Sequence, residues 1–252
     1  MEVRVEHNQL HYIANLNYPI DISLPISSNG VIAWGVPELQ IEPVKDGDWV
    51  GDVERGSSVN FNNIFFNPHA HCTHTECVGH ISPKKEVLNN KLKKYFFISK
   101  LISICPKNKK QDLVITKNML KKLVVKEDNV DAVIIRTLPN SLEKMSKNWT
   151  NTNPPYLLKD ALDYLVEINV DHLLIDLPSI DKEKDGGELN GHKAFWQYPK
   201  STRHNCTITE LIYVNDNIQD DIYLLNIQFV PFDNDASPSR PLLFKLNREI
   251  AE

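Results

Sequence analysis

The sequence lacks the features of exported, membrane-spanning and nucleic-acid-binding proteins. Its 252 residues hold four cysteines, a number and spacing that do not form the disulfide framework of a small secreted domain. The charged segment 1–7 has no apolar core of a signal peptide, and the longest apolar stretch, near residues 96–105, is broken by Lys100. A net charge of -5 argues against general nucleic-acid affinity. We therefore predict a cytoplasmic protein that binds neither nucleic acid nor membrane.

The apolar residues predict one large domain. They make up 41% of the chain, which is enough for a proper core, and we expect a single domain over residues 1–252. In the middle, a strand over 131–137, a helix over 157–166 and a strand over 172–178 imply a βαβ crossover. Strands are expected on both sides of this unit. The predicted fold class is α/β, a single mixed domain with β-rich flanks.

One short segment concentrates side chains that bind metal ions. Residues 69–80 contain four of the nine histidines, two of the four cysteines and a glutamate. Zn²⁺ and Mn²⁺ accept imidazole and carboxylate ligands, and a site with an open position can ionise a bound water near neutral pH. A strand candidate over 61–66 leads into the segment, so we expect the cluster at the end of a strand.

The spacing of the cluster separates its histidines into two sets. In an extended strand, His74, Glu76 and His80 would point to one face, with successive same-face residues about 6.6 Å apart. They could then converge on one ion. His69 and His71 have the opposite parity, so either can join that ion only if the chain turns or bulges before Thr73.

Two other interpretations of the cluster stay open. It could be a solvated loop that binds metal adventitiously, as histidine-rich tracts do. Alternatively, Cys72 and Cys77 could complete a structural zinc site, although Cys105 and Cys206 are isolated and form no second pair at zinc-finger spacing. A closed cysteine-rich site would also leave Glu76 without a role.

The run from Thr73 to His80 resembles the signature of the cyclase family, which includes kynurenine formamidases and isatin hydrolases. That signature is His-x-Gly-Thr-His-x-Asp-x-Pro-x-His; its first two histidines and its aspartate bind divalent metal, and its last histidine is the acid/base. The resemblance implies that His74 and Glu76 are metal ligands and that His80 is the catalytic acid/base. The first signature histidine would fall on Ala70, and Cys72 and Val78 replace the glycine and the proline. We favour His69 as the replacement ligand, with His71 as the alternative.

Further segments extend the resemblance over most of the chain. Residues 21–25 are similar to the family's Asp-Leu-Ser segment, and residues 176–181 to its Ser-x-Asp motif. By the same resemblance, His192 and Glu210 are the remaining metal ligands, with a longer interval between them than in kynurenine formamidases. Each has an alternative: His192 could lie in a surface loop, with His204 as the competing histidine, and Glu210 could lie on the polar face of an ordinary strand. Asp181, the last residue of segment 176–181, could have no role other than capping a helix.

The resemblance implies a swivelling β/β/α fold and a metal-dependent amidohydrolase that acts on a small molecule, similar to the kynurenine formamidases of tryptophan catabolism. Two Zn or Mn ions per chain and a homodimer or homotetramer are implied. The implied ligands are His69, His74, Glu76, His192 and Glu210.

In this interpretation the metal lowers the pKa of a water and polarises the scissile carbonyl of an amide or cyclic amide. His80 removes the water proton and returns it to the leaving nitrogen. A serine-hydrolase route is not supported, because the chain has no Gly-x-Ser-x-Gly motif. A lactone or ester hydrolase, and a metal-binding protein without turnover, are the alternatives. Four aromatic residues are candidates for the pocket of a flat substrate: Trp34, Phe65, Phe66 and Trp196.

Overall fold

A computed structural model describes residues 1–249 of the chain. Its strands are β1 (Glu2–His7), β2 (Leu10–Asn15), β3 (Ile20–Asp21), β4 (Gln40–Pro43), β5 (Lys45–Asp46), β6 (Trp49–Val50), β7 (Asn62–Phe65), β8 (His74–Glu76), β9 (Phe96–Ile104), β10 (Lys107–Lys109), β11 (Asp112–Ile115), β12 (Ala132–Thr137), β13 (Tyr156–Leu157), β14 (His172–Ile175), β15 (Thr207–Glu210), β16 (Ile222–Phe229) and β17 (Ala236–Arg248). Its α-helices are α1 (Pro68–His71), α2 (Leu88–Lys91), α3 (Lys117–Leu120), α4 (Lys159–Glu167) and α5 (Asn190–Phe195).

The largest sheet closes on itself through seven strands. Their order is β17, β16, β9, β12, β14, β15 and β8, and β8 pairs again with β17. Strands β9, β12, β14 and β15 are parallel to one another, and the other pairs in the series are antiparallel. β2 and β3 also pair with β17, and β1 extends the sheet beyond β2. Closure leaves no free edge between β8 and β17, where backbone groups would otherwise lack partners.

The centre of the sheet follows from two continuous apolar runs. Every residue of β12 and of β14 is buried, as expected for parallel strands with both faces covered. Alternate side chains enter two cores: Val133 and Ile135 pack in the core that includes α4 and α5, and Ala132 and Ile134 pack with β9, β16 and β17. This central layer is therefore buried on both sides.

The βαβ unit is present as predicted. β12 and β14 are parallel neighbours in the sheet, and α4 lies between them in the chain. The helix buries Ala161, Leu162 and Leu165 at helical spacing. It begins at Lys159 because the residues before it, Tyr156 and Leu157, pair with β11. The predicted fold class, a mixed α/β domain with β-rich flanks, is confirmed.

Other predicted elements are shorter than the sequence pattern indicated. The alternation of polar and apolar residues over 208–214 predicts a longer strand than β15, which ends at Glu210. The next residue, Leu211, has a φ of 55°, in the left-handed region that interrupts an extended strand. Within residues 1–249, the helices are too short or too polar to cross a lipid bilayer.

Candidate metal centre

A single helical turn brings His69 to the centre. The side chain of Asn67 accepts a hydrogen bond from the His69 backbone N–H at 2.9 Å, and Pro68 occupies the first helical position. This turn, α1, lies between β7 and β8, so His69 no longer follows the parity of the strand. Its Nδ1 lies 3.3 Å from Oε2 of Glu76. The chain thus turns before Thr73, as the parity argument required.

Strand pairing brings Glu210 next to His74. In the register between β8 and β15, His74 is directly opposite Glu210, and His74 Nε2 lies 3.5 Å from Glu210 Oε2. His74 and Glu76 are two residues apart on the same fully buried strand and point to one face, as the sequence indicated. Both edges of β8 are paired, one with β15 and the other with β17.

His80 reaches the centre by a different path from the one expected. The strand stops at Glu76, and a 3₁₀ turn over Val78–His80 returns the chain, so the extended geometry assumed for His80 is wrong. His80 Nδ1 nevertheless lies 3.7 Å from Glu76 Oε2. Gly79 makes the turn possible, because a Cβ there would overlap the backbone oxygen of Glu86.

The first turn of α5 and a carboxylate hold His192. Asp181 accepts hydrogen bonds from the backbone N–H groups of Gly191 at 2.6 Å and His192 at 3.0 Å, and its Oδ2 lies 2.7 Å from His192 Nδ1. The other ring nitrogen, Nε2, is 3.2 Å from Glu76 Oε1. His192 is therefore a buried member of the cluster rather than a surface histidine, and Asp181 orients its ring as well as capping the helix.

Sequence reasoning missed a third carboxylate, Asp235. Its Oδ2 lies 3.1 Å from His69 Nε2 and 3.4 Å from His80 Nδ1. Asp235 directly precedes β17, and its backbone oxygen accepts a hydrogen bond from Cys77 at 3.0 Å. No local motif marks this residue. Asp235 could have been found only from the pairing of β17 with β8, and a local sequence pattern does not reveal that pairing.

His71 and His204 do not join the cluster. His71 Nδ1 accepts a hydrogen bond from the backbone of Asn67 at 2.9 Å, and its Nε2 lies 3.0 Å from the oxygen of Pro37. Because both ring nitrogens have other partners, the geometry favours His69 as the replacement ligand. His204 is about half exposed and contacts Glu86 at 2.8 Å.

The cysteines of the cluster are not placed as zinc ligands. Burial raises the pKa of Cys72 to about 12 and that of Cys77 to about 11. Their sulfur atoms lie 3.6 Å from the oxygen of Pro68 and 3.5 Å from the oxygen of Glu86, respectively. Zinc binds the thiolate form, so neutral thiols that contact backbone oxygens argue against a structural cysteine site.

Four buried polar atoms of the cluster lack hydrogen-bond partners within residues 1–249. They are Nε2 of His74, Nε2 of His192 and both carboxylate oxygens of Glu76. His74 Nδ1 lies 3.1 Å from the oxygen of Cys72, which leaves the Nε2 lone pair free. Unpaired buried polar atoms are costly, and these are imidazole nitrogens and carboxylate oxygens that face one another. The residues therefore fit a divalent cation.

Three sets of ligand atoms lie close enough to hold an ion. Within each set the atoms are no more than 4.8 Å apart, and the sets share members. They are His69, His74 and Glu76; His69, His80 and Asp235; and Glu76, His80 and His192.

Without a cation, protons on histidines balance the carboxylates. Burial by itself lowers the pKa of His69 and His192. The carboxylates that face each ring outweigh this effect, Asp235 and Glu76 at His69 and Asp181 and Glu76 at His192, and raise the pKa of both histidines to about 10. Burial alone would raise the pKa of Glu76, but His80, His192 and His69 hold it well below its ordinary value. A bound cation would replace these protons.

The cluster opens into a cavity of about 250 Å³. Trp34, Ser179 and Lys182 line it together with His69, His80 and His192. The indole N–H of Trp34 donates to the His69 oxygen at 3.0 Å. A larger cavity of about 620 Å³ contains none of the candidate ligands.

The other proposed aromatic residues do not line the 250 Å³ cavity. Trp196 is fully buried, with its ring 5.5 Å from that of His192. Phe65 and Phe66 line a separate depression beside His71.

Solved structures with the same fold include enzymes of small-molecule hydrolysis. A potential metal-dependent hydrolase with cyclase activity is 19% identical over 90% of this chain and 98% of its own, with a TM-score of 0.65. An isatin hydrolase bound to the product analogue thioisatinate is 15% identical over 90% and 92%, with a TM-score of 0.62. Isatin hydrolase A from Labrenzia aggregata, bound to benzyl benzoate, is 12% identical over 92% and 94%, with a TM-score of 0.64.

The sequence comparison gives a family rather than a close relative. A search of curated proteins finds no match. The family model described as "Putative cyclase" matches residues 20–182, which is more than half of the chain and includes His69, His74, Glu76 and His80. The chain therefore belongs to the putative cyclase family.

Proposed function

We propose that this chain is a metal-dependent hydrolase that opens the C–N bond of a small amide or cyclic amide, in the manner of an arylformamidase. The observation that carries the proposal is the convergence of four unpaired buried ligand atoms beneath a cavity that His80 also lines. Enzymes named as metal-dependent hydrolase and isatin hydrolase share the fold and support the same class of reaction. The cavity volume of about 250 Å³ favours a small substrate.

The proposed ligands surround Glu76. They are His69, His74, Glu76, His192 and Glu210, and their imidazole and carboxylate groups would hold the expected two Zn²⁺ or Mn²⁺ ions. A bound divalent cation would lower the pKa of the attacking water and polarise the scissile carbonyl.

His80 is the proposed general acid/base. Its side chain is 31% exposed, so it is accessible from the cavity that would hold substrate. The ring takes the proton of the attacking water and delivers it to the departing nitrogen. Glu76 at 3.7 Å and Asp235 at 3.4 Å stabilise the positive charge that the imidazole carries between these two steps.

The proposal is tested by metal analysis and by assays on three substrate classes. The protein is purified with Zn²⁺ or Mn²⁺, its metal content is measured, and hydrolysis of N-formylkynurenine, isatin and simple lactones is followed. We expect bound metal and turnover of an amide. Turnover of lactones alone would identify an ester hydrolase instead, and bound metal with no turnover would identify a metal-binding protein.

The role of His80 is tested by His80→Ala, with His204→Ala as the matched control. His204 is an exposed histidine outside the cluster, so its removal should leave kcat unchanged. The loss of the acid/base should lower kcat by about 10² to 10⁴. Full activity in His80→Ala with bound metal would show that another group transfers the proton.

A further inference from the structure

One carboxylate that the family signature does not assign lies between two histidines of the centre. Asp235 Oδ2 is 3.1 Å from His69 Nε2 and 3.4 Å from His80 Nδ1. We propose that Asp235 is a positioning residue, which holds the outer nitrogen of His69 so that Nδ1 faces Glu76, where it would bind the metal. In this way it allows His69 to replace the ligand that the signature places at Ala70. This inference rests on the proposed function.

The other two candidate histidine ligands show the same arrangement. His192 Nδ1 lies 2.7 Å from Asp181 Oδ2, and its Nε2 is directed to Glu76. His74 Nδ1 lies 3.1 Å from the backbone oxygen of Cys72, and its Nε2 is directed to Glu210. A histidine that binds a metal through one nitrogen commonly donates the other N–H to a carboxylate or a backbone oxygen, which fixes its tautomer and orientation.

His69 is the member of this set with the opposite orientation. It meets its oxygen partner, Asp235, through Nε2 and faces Glu76 through Nδ1, at 3.3 Å. The ring comes from a helical turn rather than from β8, so the nitrogen nearer the backbone is the one that reaches the centre. Among residues 1–249, Asp235 is the hydrogen-bond partner of the outer nitrogen of His69, at 3.1 Å.

The backbone around Asp235 is anchored to the chain segment that carries Glu76 and His80. The Asp235 oxygen accepts the Cys77 N–H at 3.0 Å, and the Asn234 oxygen accepts the Leu88 N–H at 3.0 Å. A Cβ on Gly79 would lie 3.0 Å from the Asp235 Cβ, which shows how closely the two segments pack. The position of the carboxylate is therefore set by backbone contacts and does not depend on a flexible loop.

The same oxygen also reaches the proposed acid/base. The rings of His69 and His80 are 4.4 Å apart at their centroids, and Asp235 Oδ2 contacts both. Removal of the carboxylate should therefore have two separate effects. It should weaken metal binding through His69, and it should lower kcat through His80 even when metal is saturating.

The test measures metal affinity by competition with a chelator, a readout that does not require turnover. Asp235→Asn keeps the shape of the side chain, and the affinity of the ion held by His69 should fall by about 10- to 100-fold. The matched control is Asp233→Asn, because Asp233 lies in the same segment but is 77% exposed and contacts Lys85. Asp235→Glu, which keeps the charge, should bind metal more tightly than Asp235→Asn.

A double-mutant comparison separates a positioning role from direct ligation. If Asp235 acts through His69, Asp235→Asn should have no further effect on metal affinity in a His69→Ala background. An equal loss in both backgrounds would overturn the proposal, and so would wild-type affinity in Asp235→Asn or equal affinities of the Asn and Glu variants. If the wild-type chain binds no metal at all, the proposed function fails instead.

Discussion

His69 and His71 are two residues apart, and their rings have different partners. The ring of His69 faces Glu76 and Asp235, whereas the ring of His71 contacts the backbone at Asn67 and Pro37. We predict that His69→Ala lowers the metal content of the purified protein. His71→Ala should retain metal but lose about 1–3 kcal/mol of unfolding free energy, because the buried His71 ring loses its two hydrogen-bond contacts, to the Asn67 N–H and the Pro37 oxygen.

Metal analysis and denaturant unfolding of the two variants, each compared with the wild type, measure these effects. If His71→Ala loses metal and His69→Ala does not, the assignment of the replacement ligand is reversed.

At the residue scale, the sequence was sufficient to identify the members of the cluster that belong to the short family signature. His74, Glu76 and His80 lie within seven residues, and the structure brings them together with His192 and Glu210. Their role as metal ligands stays a prediction. The pattern left His69 and His71 as alternatives, because the choice depends on the helical turn between β7 and β8. It missed Asp235, which reaches the centre only through strand pairing.

The helical turn α1 depends on its cap. Asn67 accepts the backbone N–H of His69 at 2.9 Å, and Asn67→Ala removes this bond. We predict a loss of about 0.5–2 kcal/mol in unfolding free energy and a weaker affinity for metal, because the turn positions His69. Asn67→Ser, which retains a cap, is the control. Unfolding curves and chelator competition measure both effects, and equal behaviour of the two variants would contradict the prediction.

The ribbon formed by β4 and β7 exposes apolar side chains. Ile41 and Ile64 lie directly opposite each other and are 50% and 55% exposed, and Phe65 at the end of β7 is 57% exposed. Exposed apolar patches of this kind mark interaction surfaces. We propose that the chain forms a homodimer or homotetramer and that this ribbon lies in its interface.

A charge on the ribbon should therefore lower the mass of the assembly. We predict that Ile64→Asp reduces the mass measured by analytical ultracentrifugation, because a buried charge without a partner is costly. Tyr18→Asp, at an exposed aromatic residue outside the ribbon, is the control. An unchanged mass in Ile64→Asp would show that the ribbon is not the interface.

At the element scale, local periodicity predicted the βαβ unit but not the closure of the sheet. The apolar spacing of α4 and the buried runs of β12 and β14 are visible in the sequence. The pairing of β8 with β17 joins residues more than 150 positions apart, and short strands such as β8 carry little pattern. Closure therefore depended on tertiary contacts.

The metal-free molecule should have an unusual dependence of stability on pH. The pKa values of His69 and His192 are about 10 when folded and 6.5 in a free histidine, so their contribution is complete below pH 6.5 and lost towards pH 10. Glu76 has a folded pKa well below 4.5, so its contribution is present above that pH and lost as the pH falls. Maximal stability of the metal-free protein is expected between about pH 4.5 and 6.5.

Zn²⁺ or Mn²⁺ should move this maximum to higher pH, because the cation replaces the histidine protons. Thermal unfolding at pH 5 to 9, with EDTA or with metal, measures the shift. Identical profiles in the two conditions would show that no cation binds at these histidines.

The pairing of β8 with β17 determines how much of the chain must be synthesised before the candidate metal centre can form. β8 is synthesised before its neighbours β15 and β17 and before Asp235, which all lie more than 125 residues further along the chain. A nascent chain that has emerged from the ribosome only up to residue 234 contains the histidines of residues 69–80 but lacks Asp235 and β17. The proposed metal centre can then form only after residue 235 has emerged, and a product truncated before that residue would carry the signature but no complete centre.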